Sequence, residues 1–217
     1  MIDLEEVWRL REEVVYPALF GPVTRGIFPL DQGLFARFGD AAVDPRWLTH
    51  GVLEFAPHED RKSWLYASSG LSNPWDVAPE DYDPAGETGA GIEFIMETEV
   101  SADWAIRVLQ NMVAYDLLLA AGQFGDRPPI GLHNRIPLGG AIDGQDNTVL
   151  RAVKTIRPPE FQDDIALPSG SFSLMEFVGI SEAEVELGKA EGGDALFAAL
   201  QAADALPVTR PTRASIV

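Results

Sequence analysis

The sequence predicts an α+β domain in which one mixed or antiparallel central β-sheet is covered by α-helices. Segments of strand character come in groups instead of alternating with helices one for one, so a doubly wound parallel fold does not fit. The clearest strand, Ile92–Val100, runs straight into the best helical stripe of the chain, Trp104–Leu119. Further helical segments stand at the N-terminus and after the last strand. At 217 residues the chain suits a single domain over residues 1–217 with a substantial core, and no internal repeat is visible.

The first helix is expected from Asp3 to about Tyr16. Asp3 and Glu6 have capping-box spacing, Leu4, Val7, Trp8, Val14 and Val15 fall near one side, and Pro17 is expected to close the helix. Leu19 and Phe20 then pack a tight exit. Gly51–Phe55 and Ser63–Ala67 read as strands joined by the polar turn His58–Arg61 and are expected to form a hairpin. Trp75–Gly91 carries prolines, glycines and many acids and reads as a loop. In Ile92–Val100, the residues Ile92, Phe94, Met96 and Val100 share one face. Glu93, Glu97 and Glu99 share the other with Ile95, so that face is expected to be mostly wet. Ser101 is placed as the cap of the next helix, and Gly122 as its stop. A strand is expected over Val149–Ile156 and another over Ser171–Val178, with Gly179–Ile180 turning into the capping box Ser181–Glu184. Asp194 is placed as the cap of a last helix to about Ala203, and the tail, about 206–217, is expected to be loosely attached. The core should contain Phe94, Met96, Trp104, Leu109, Met112, Phe172, Leu174 and Phe177.

Composition narrows the chemistry. With no cysteine, disulfides, thiolate metal sites and cysteine nucleophiles are excluded, and a reducing compartment fits. The start, Met-Ile-Asp-Leu-Glu-Glu, lacks the basic and apolar stretches of a signal peptide, and no run reaches the length of a membrane span, so a cytoplasmic location is expected. Sixteen Lys and Arg stand against 34 Asp and Glu, a formal charge of −18. Phosphate backbones and anionic membranes are disfavoured partners; such a charge supplies solubility by itself, and a basic protein partner steered by long-range attraction is the sharper reading, which charge alone does not select.

No catalytic constellation assembles from the motifs. No two of His50, His58 and His133 have metal-ligand spacing, and no metal or cofactor is expected. Ser68-Ser-Gly-Leu-Ser72 is not a nucleophile elbow, and Asp143–Asn147 lacks the ligand pattern of a calcium loop. Two alternatives to a binding module stay open: a hydrolase using His133 with a carboxylate such as Asp126, and a small-ligand-binding protein.

Several segments together resemble the suppressor-of-fused family, in particular its single-domain bacterial members. They are Tyr16-Pro-Ala-Leu-Phe-Gly21, Trp64–Ser72 with its Ser-Ser-Gly-Leu-Ser turn, Gly91-Ile-Glu-Phe94, Leu109-Gln-Asn111 within its helix, Phe177-Val-Gly-Ile-Ser181 and Val208–Arg210 with Arg213 and Ser215. The resemblance implies an α+β domain without known catalysis that binds and restrains a protein partner. Among bacterial relatives it also implies an immunity role against a toxin. The expected partner-binding residues are Trp75, Asp81, Tyr82, Asp83, Glu87 and Ile92, with a free strand edge beginning at Ile92.

Overall fold

The computed structural model describes residues 3–39 and 42–217. Asp3 Oδ1 accepts the Glu6 N–H at 3.0 Å and caps α1 (Leu4–Leu10). Pro17 does not end the helix as expected. A π-helical turn, Arg11–Val15, precedes it, and α2 (Tyr16–Phe20) carries on to Gly21. A proline lacks an N–H and crowds the carbonyl one turn back, and the wide turn falls at that point. The buried stripe is therefore Val7, Arg11, Tyr16 and Phe20, with the longer step across the π turn.

The strands are β1 (Val23–Pro29), β2 (Gly51–Phe55), β3 (Trp64–Ser69), β4 (Glu87–Thr98), β5 (Arg135–Pro137), β6 (Leu150–Ile156), β7 (Ile165–Leu167) and β8 (Gly170–Ser181). They form one eight-stranded sheet in the order β1-β2-β3-β4-β8-β6-β5, with β7 paired to β8. The pair β4–β8 is parallel and the other ladders are antiparallel, so the sheet is mixed. The β2–β3 hairpin pairs as the sequence suggests, from Gly51 opposite Ser69 to Phe55 opposite Leu65. The edge strand β1 and the short α3 (Gln32–Ala36) went unread, because both are brief and β1 is largely exposed.

Both faces of this sheet are covered. On one lies α4 (Asp103–Ala120), burying Phe94, Met96, Leu109, Met112 and Phe177. The face of Glu93, Ile95 and Glu97, expected to be wet, is buried under α1 and α2. There Tyr16 and Phe20 pack with Leu53, Ile95, Phe172 and Leu174. The expected core residues are buried except Trp104, which is half-buried against the first cluster. Val100 lies beyond the end of β4 and is 64% exposed.

Helix ends differ in detail. Ser101 does not cap α4; its hydroxyl donates to Glu54 at 2.9 Å, and Ala102 holds the cap position. Gly122, at φ +72°, follows the helix as expected. β8 runs through Gly179 and Ile180 without turning, and Ser181 with Glu184 forms the expected capping box of α5 (Glu182–Glu191). α6 (Gly193–Ala202) begins after Gly192, not at Asp194. The tail is not loose. Thr209 N–H donates to Glu97 O at 2.8 Å, and Thr209 Oγ1 accepts the Gly179 N–H at 3.0 Å. Arg213 reaches the buried Glu184 at 2.6 Å. These bonds satisfy backbone groups where β4 stops and β8 continues, which holds the tail down. No described helix is long and apolar enough to cross a membrane.

Candidate functional site

The turn Ser68–Asn73 leaves β3 and is shaped from beneath by a buried ion pair. Arg11, 1% exposed on the π turn, donates to Ser72 Oγ at 2.9 Å, to Asn73 Oδ1 at 2.7 Å and to Ser69 Oγ at 2.7 Å. Its guanidinium lies 3.7 Å from Glu93. Glu93, fully buried on β4, accepts the N–H groups of Gly70 and Ser72 at 2.9 Å each and the hydroxyls of Ser68 and Ser72. A buried charge is tolerable only when paired and hydrogen-bonded; here each charge has its partner and several hydrogen bonds, with Arg11 Nε left as a buried donor without an acceptor. The three serine hydroxyls are thereby committed to holding the turn. Gly70, at φ +138°, is required here, because a Cβ would meet the His50 ring at 2.5 Å.

Beside this turn opens a cleft of about 280 Å³ lined by Trp47, His50, Trp75, Glu87, Ala90 and Leu117, among others. Its floor is the turn and its far wall is α4. His50 is 2% exposed, and burial lowers its pKa. Trp75 is half-buried at the rim. Its ring meets Trp8 edge-on at 5.6 Å, and the Arg46 guanidinium sits 5.9 Å above it. Arg46 also pairs with Asp76 at 2.9 Å. The indole N–H is buried without an acceptor.

The expected site residues separate into three groups. Asp81, Asp83 and Glu87 are exposed, with Asp81 in a short 3-10 turn and Asp83 Oδ1 accepting the Ala85 N–H at 3.0 Å. Trp75 and Tyr82 lie half-buried on their own domain, Tyr82 against the α1–α2 cluster, where burial and then the Asp3 charge raise its pKa. Ile92 is not at a free edge. It pairs with Ser173 of β8 on one side. On the other side the neighbouring amides are closed by Ser68 Oγ, which accepts from Phe94 N–H at 2.8 Å, and by Leu71 O, which accepts from Ala90 N–H at 2.8 Å. The segment read as loop up to Gly91 already pairs with β8 at Glu87, opposite Ser171. Only Trp75 and Glu87 of the six line the cleft.

The residues weighed for hydrolysis have other partners. His133, at φ +62°, lies with Nδ1 3.2 Å from Lys154 Nζ and Nε2 3.2 Å from Asp194, and Asp126 is not among its partners. Burial, and then the charge of Arg135, lowers the pKa of Lys154 to about 8. Asp143 accepts the Gln145 N–H and the Thr148 hydroxyl as a turn residue. No group of three or more His, Asp or Glu among the described residues could hold a metal ion.

Sequence reasoning missed Arg11 and Glu93. A signal was present: Arg11 stands four residues after Val7 on the apolar stripe, where a charge must find a buried partner.

Comparison with known proteins then places the chain. The family model described as suppressor of fused protein (SUFU) matches residues 47–214. Among solved structures, the chain is similar to Drosophila Suppressor of Fused (18% identity, TM-score 0.58), covering 77% of this chain and 42% of that one. It is similar to a chain of the Sufu–Fu complex (16% identity, TM-score 0.60), covering 88% and 93% respectively. It is also similar to a putative SUFU homologue from Neisseria gonorrhoeae (16% identity, TM-score 0.57), covering 82% and 84%. The chain thus spans less than half the length of the Drosophila protein. No curated protein sequence matches it. The α+β fold agrees with these structures, and on the family match over most of its length this chain belongs to the suppressor of fused family.

Proposed function

We propose that the chain is a non-catalytic protein-binding module that holds and restrains a basic protein partner at the Trp75 cleft and its acidic rim. The observation that carries the reading is a ready-formed cleft floor beside a half-buried tryptophan, with exposed Asp76 and Glu87 in the cleft lining and exposed Asp81 and Asp83 on the segment that joins them. Aromatic rims supply the contact that slows dissociation, and like-signed acids steer an oppositely charged partner toward it. The formal charge of −18 extends that steering over the whole molecule. A chain of similar fold occurs in a complex with a protein, Sufu–Fu, which supports a protein as the ligand class. In its finer form the partner is a toxin and the chain its immunity protein, acting in the cytoplasm, where a cysteine-free chain has no disulfide to lose.

The test is association kinetics with the purified partner by surface plasmon resonance. Reversing Asp81 and Asp83 to Lys should slow association by about tenfold and flatten its salt dependence, while Trp75→Ala should chiefly speed dissociation. Wild-type rates in both variants would place the interface elsewhere.

A further inference from the structure

A groove runs between α4 and β5, the edge strand of the sheet. It consists of two cavities of about 400 and 430 Å³ that meet at Pro137, which lines both. Its wall on α4 is Val108, Met112, Tyr115 and Leu119, a row at helical spacing, and its wall on the sheet edge includes Ile136 and Leu138. β5 pairs with β6 alone, so no described strand covers its outer side. From Arg107 to Leu119 is about 18 Å of helix, which about five or six extended residues span. The groove shares no lining residue with the Trp75 cleft, to which the same helix presents Asp116, Leu117 and Ala120.

The rim of this groove is basic, on a chain whose formal charge is −18. Arg37 and Arg107 line one cavity, and Arg127, His133, Arg135 and Lys189 line the other. Two of these have carboxylates of their own: His133 lies 3.2 Å from Asp194, and Lys189 lies 2.7 Å from Glu186. Arg37 donates to the neutral Asn111 at 3.1 Å. Among the described residues, the Arg107, Arg127 and Arg135 side chains have neither an ion pair nor a hydrogen bond. Arg135 is nonetheless held in place, because it lies against Gly188 of α5, where a Cβ would come within 2.9 Å of its Cδ. Asp143 is the one carboxylate among the described lining residues, and it accepts the Gln145 N–H and the Thr148 hydroxyl. Other arginines of the chain, Arg9, Arg25, Arg46, Arg157 and Arg213, are each paired with an acid. With acids in such surplus, three arginines left unpaired around one apolar groove complement a ligand that brings its own carboxylates.

We propose that this groove docks a short acidic, amphipathic segment of a second protein, its carboxylates meeting Arg107, Arg127 and Arg135 and its apolar side chains lying on Tyr115 and Ile136. Arginine takes a carboxylate through paired N–H groups, and a half-buried aromatic wall supplies contact that excludes water. A nucleic acid fits less well, because its dense charge meets the repulsion of the whole molecule, whereas a few carboxylates on an apolar segment meet little of it. The site is separate from the Trp75 cleft, and its occupant is distinct from the basic partner proposed there.

Fluorescence anisotropy tests the proposal with the labelled peptide Glu-Leu-Glu-Leu-Glu-Leu on the whole chain at physiological ionic strength, where charges beyond about 8 Å are screened. A Gln-Leu repeat, an all-Glu hexapeptide and an oligothymidylate, each with the same label, are the controls. The acidic amphipathic peptide should bind at least about tenfold more tightly than any of them. Arg107→Glu together with Arg127→Glu changes two exposed side chains, so the thermal midpoint should persist while affinity falls by about tenfold or more. Asp81→Lys with Asp83→Lys should leave peptide affinity unchanged, which separates this groove from the Trp75 cleft. Hydrogen exchange should slow over residues 127–138 in the bound chain and not over residues 70–92. No binding of the acidic amphipathic peptide, equal binding of the all-Glu peptide or the oligothymidylate, or unchanged affinity in the folded Arg107→Glu, Arg127→Glu variant would overturn the proposal. A dimer of the chain alone that these two substitutions disperse, read by sedimentation, would make a second copy the occupant and overturn it as well.

Discussion

Removing Arg11 tests the scaffold on which the candidate site rests. In Arg11→Met the side-chain volume stays close to native, but three hydrogen bonds to Ser69, Ser72 and Asn73 are lost, and Glu93 keeps its charge with no cation in the buried network. Breaking one side of a buried ion pair costs about 3–5 kcal/mol, because the remaining charge is stranded in a low-dielectric interior. Glu93 retains four donors, so the cost should fall toward the lower end. For a domain of 217 residues each kcal/mol corresponds to about 2–4 °C, so the thermal midpoint should drop by roughly 6–12 °C. The informative assay is a double-mutant cycle with Glu93→Gln, read by denaturant unfolding. The two changes should couple by about 1–3 kcal/mol, since the neutral amide removes the charge that Arg11→Met leaves unpaired. Strict additivity, or a loss below about 1 kcal/mol in Arg11→Met, would refute the idea that this pair holds the Ser68–Asn73 turn.

Four further changes probe other parts of the account. Asp116 is 4% exposed, and burial lifts its carboxyl to about 6 from 3.8, partly opposed by the Ile130 N–H it accepts. Folding then binds protons between those values, so stability should fall as pH rises from about 4 to 6. Asp116→Asn should abolish that slope and, at about 1.4 kcal/mol per pH unit, gain up to about 3 kcal/mol at pH 7, measured by chemical denaturation across pH. Lys154 is fully buried with its pKa lowered to about 8, so the unfolded chain holds that proton to higher pH than the folded one. Stability should therefore rise from about pH 8 toward 10.5, and Lys154→Met should flatten that rise and be the more stable protein at pH 7. Phe94→Ala should cost about 3–5 kcal/mol because Phe94 is fully buried against Phe177, whereas Trp104→Ala, half-buried, should cost clearly less; equal losses in calorimetry would contradict the packing.

The fold was legible where periodicity is long or a cap is explicit. The stripe of α4, the β2–β3 hairpin and the Ser181–Glu184 capping box needed no tertiary information. The second face of β4 was not legible, because Glu93 and Glu97 mimic a solvated surface and only their partners distinguish them from one. Those partners, Arg11 and Ser63, are distant in sequence. Nor could local pattern show that Pro17 is carried through by a π turn, or that Thr209 would enter the space between β4 and β8. At the candidate site the acids of the loop were visible from composition. The inward packing of Trp75 and Tyr82 depends on Trp8 and the α1–α2 cluster, and the closure of the edge at Ile92 depends on β8 and Ser68.

The central claim, that a protein partner docks at the Trp75 cleft and its acidic rim, is tested most directly by hydrogen exchange on the chain alone and in the purified reconstituted complex. The account predicts slowed exchange in residues 70–92, with the β5 edge and α6 unchanged, and loss of that protection in the Asp81→Lys, Asp83→Lys double variant. Protection confined to other elements, or protection over 70–92 that survives the charge reversal at full strength, would contradict it.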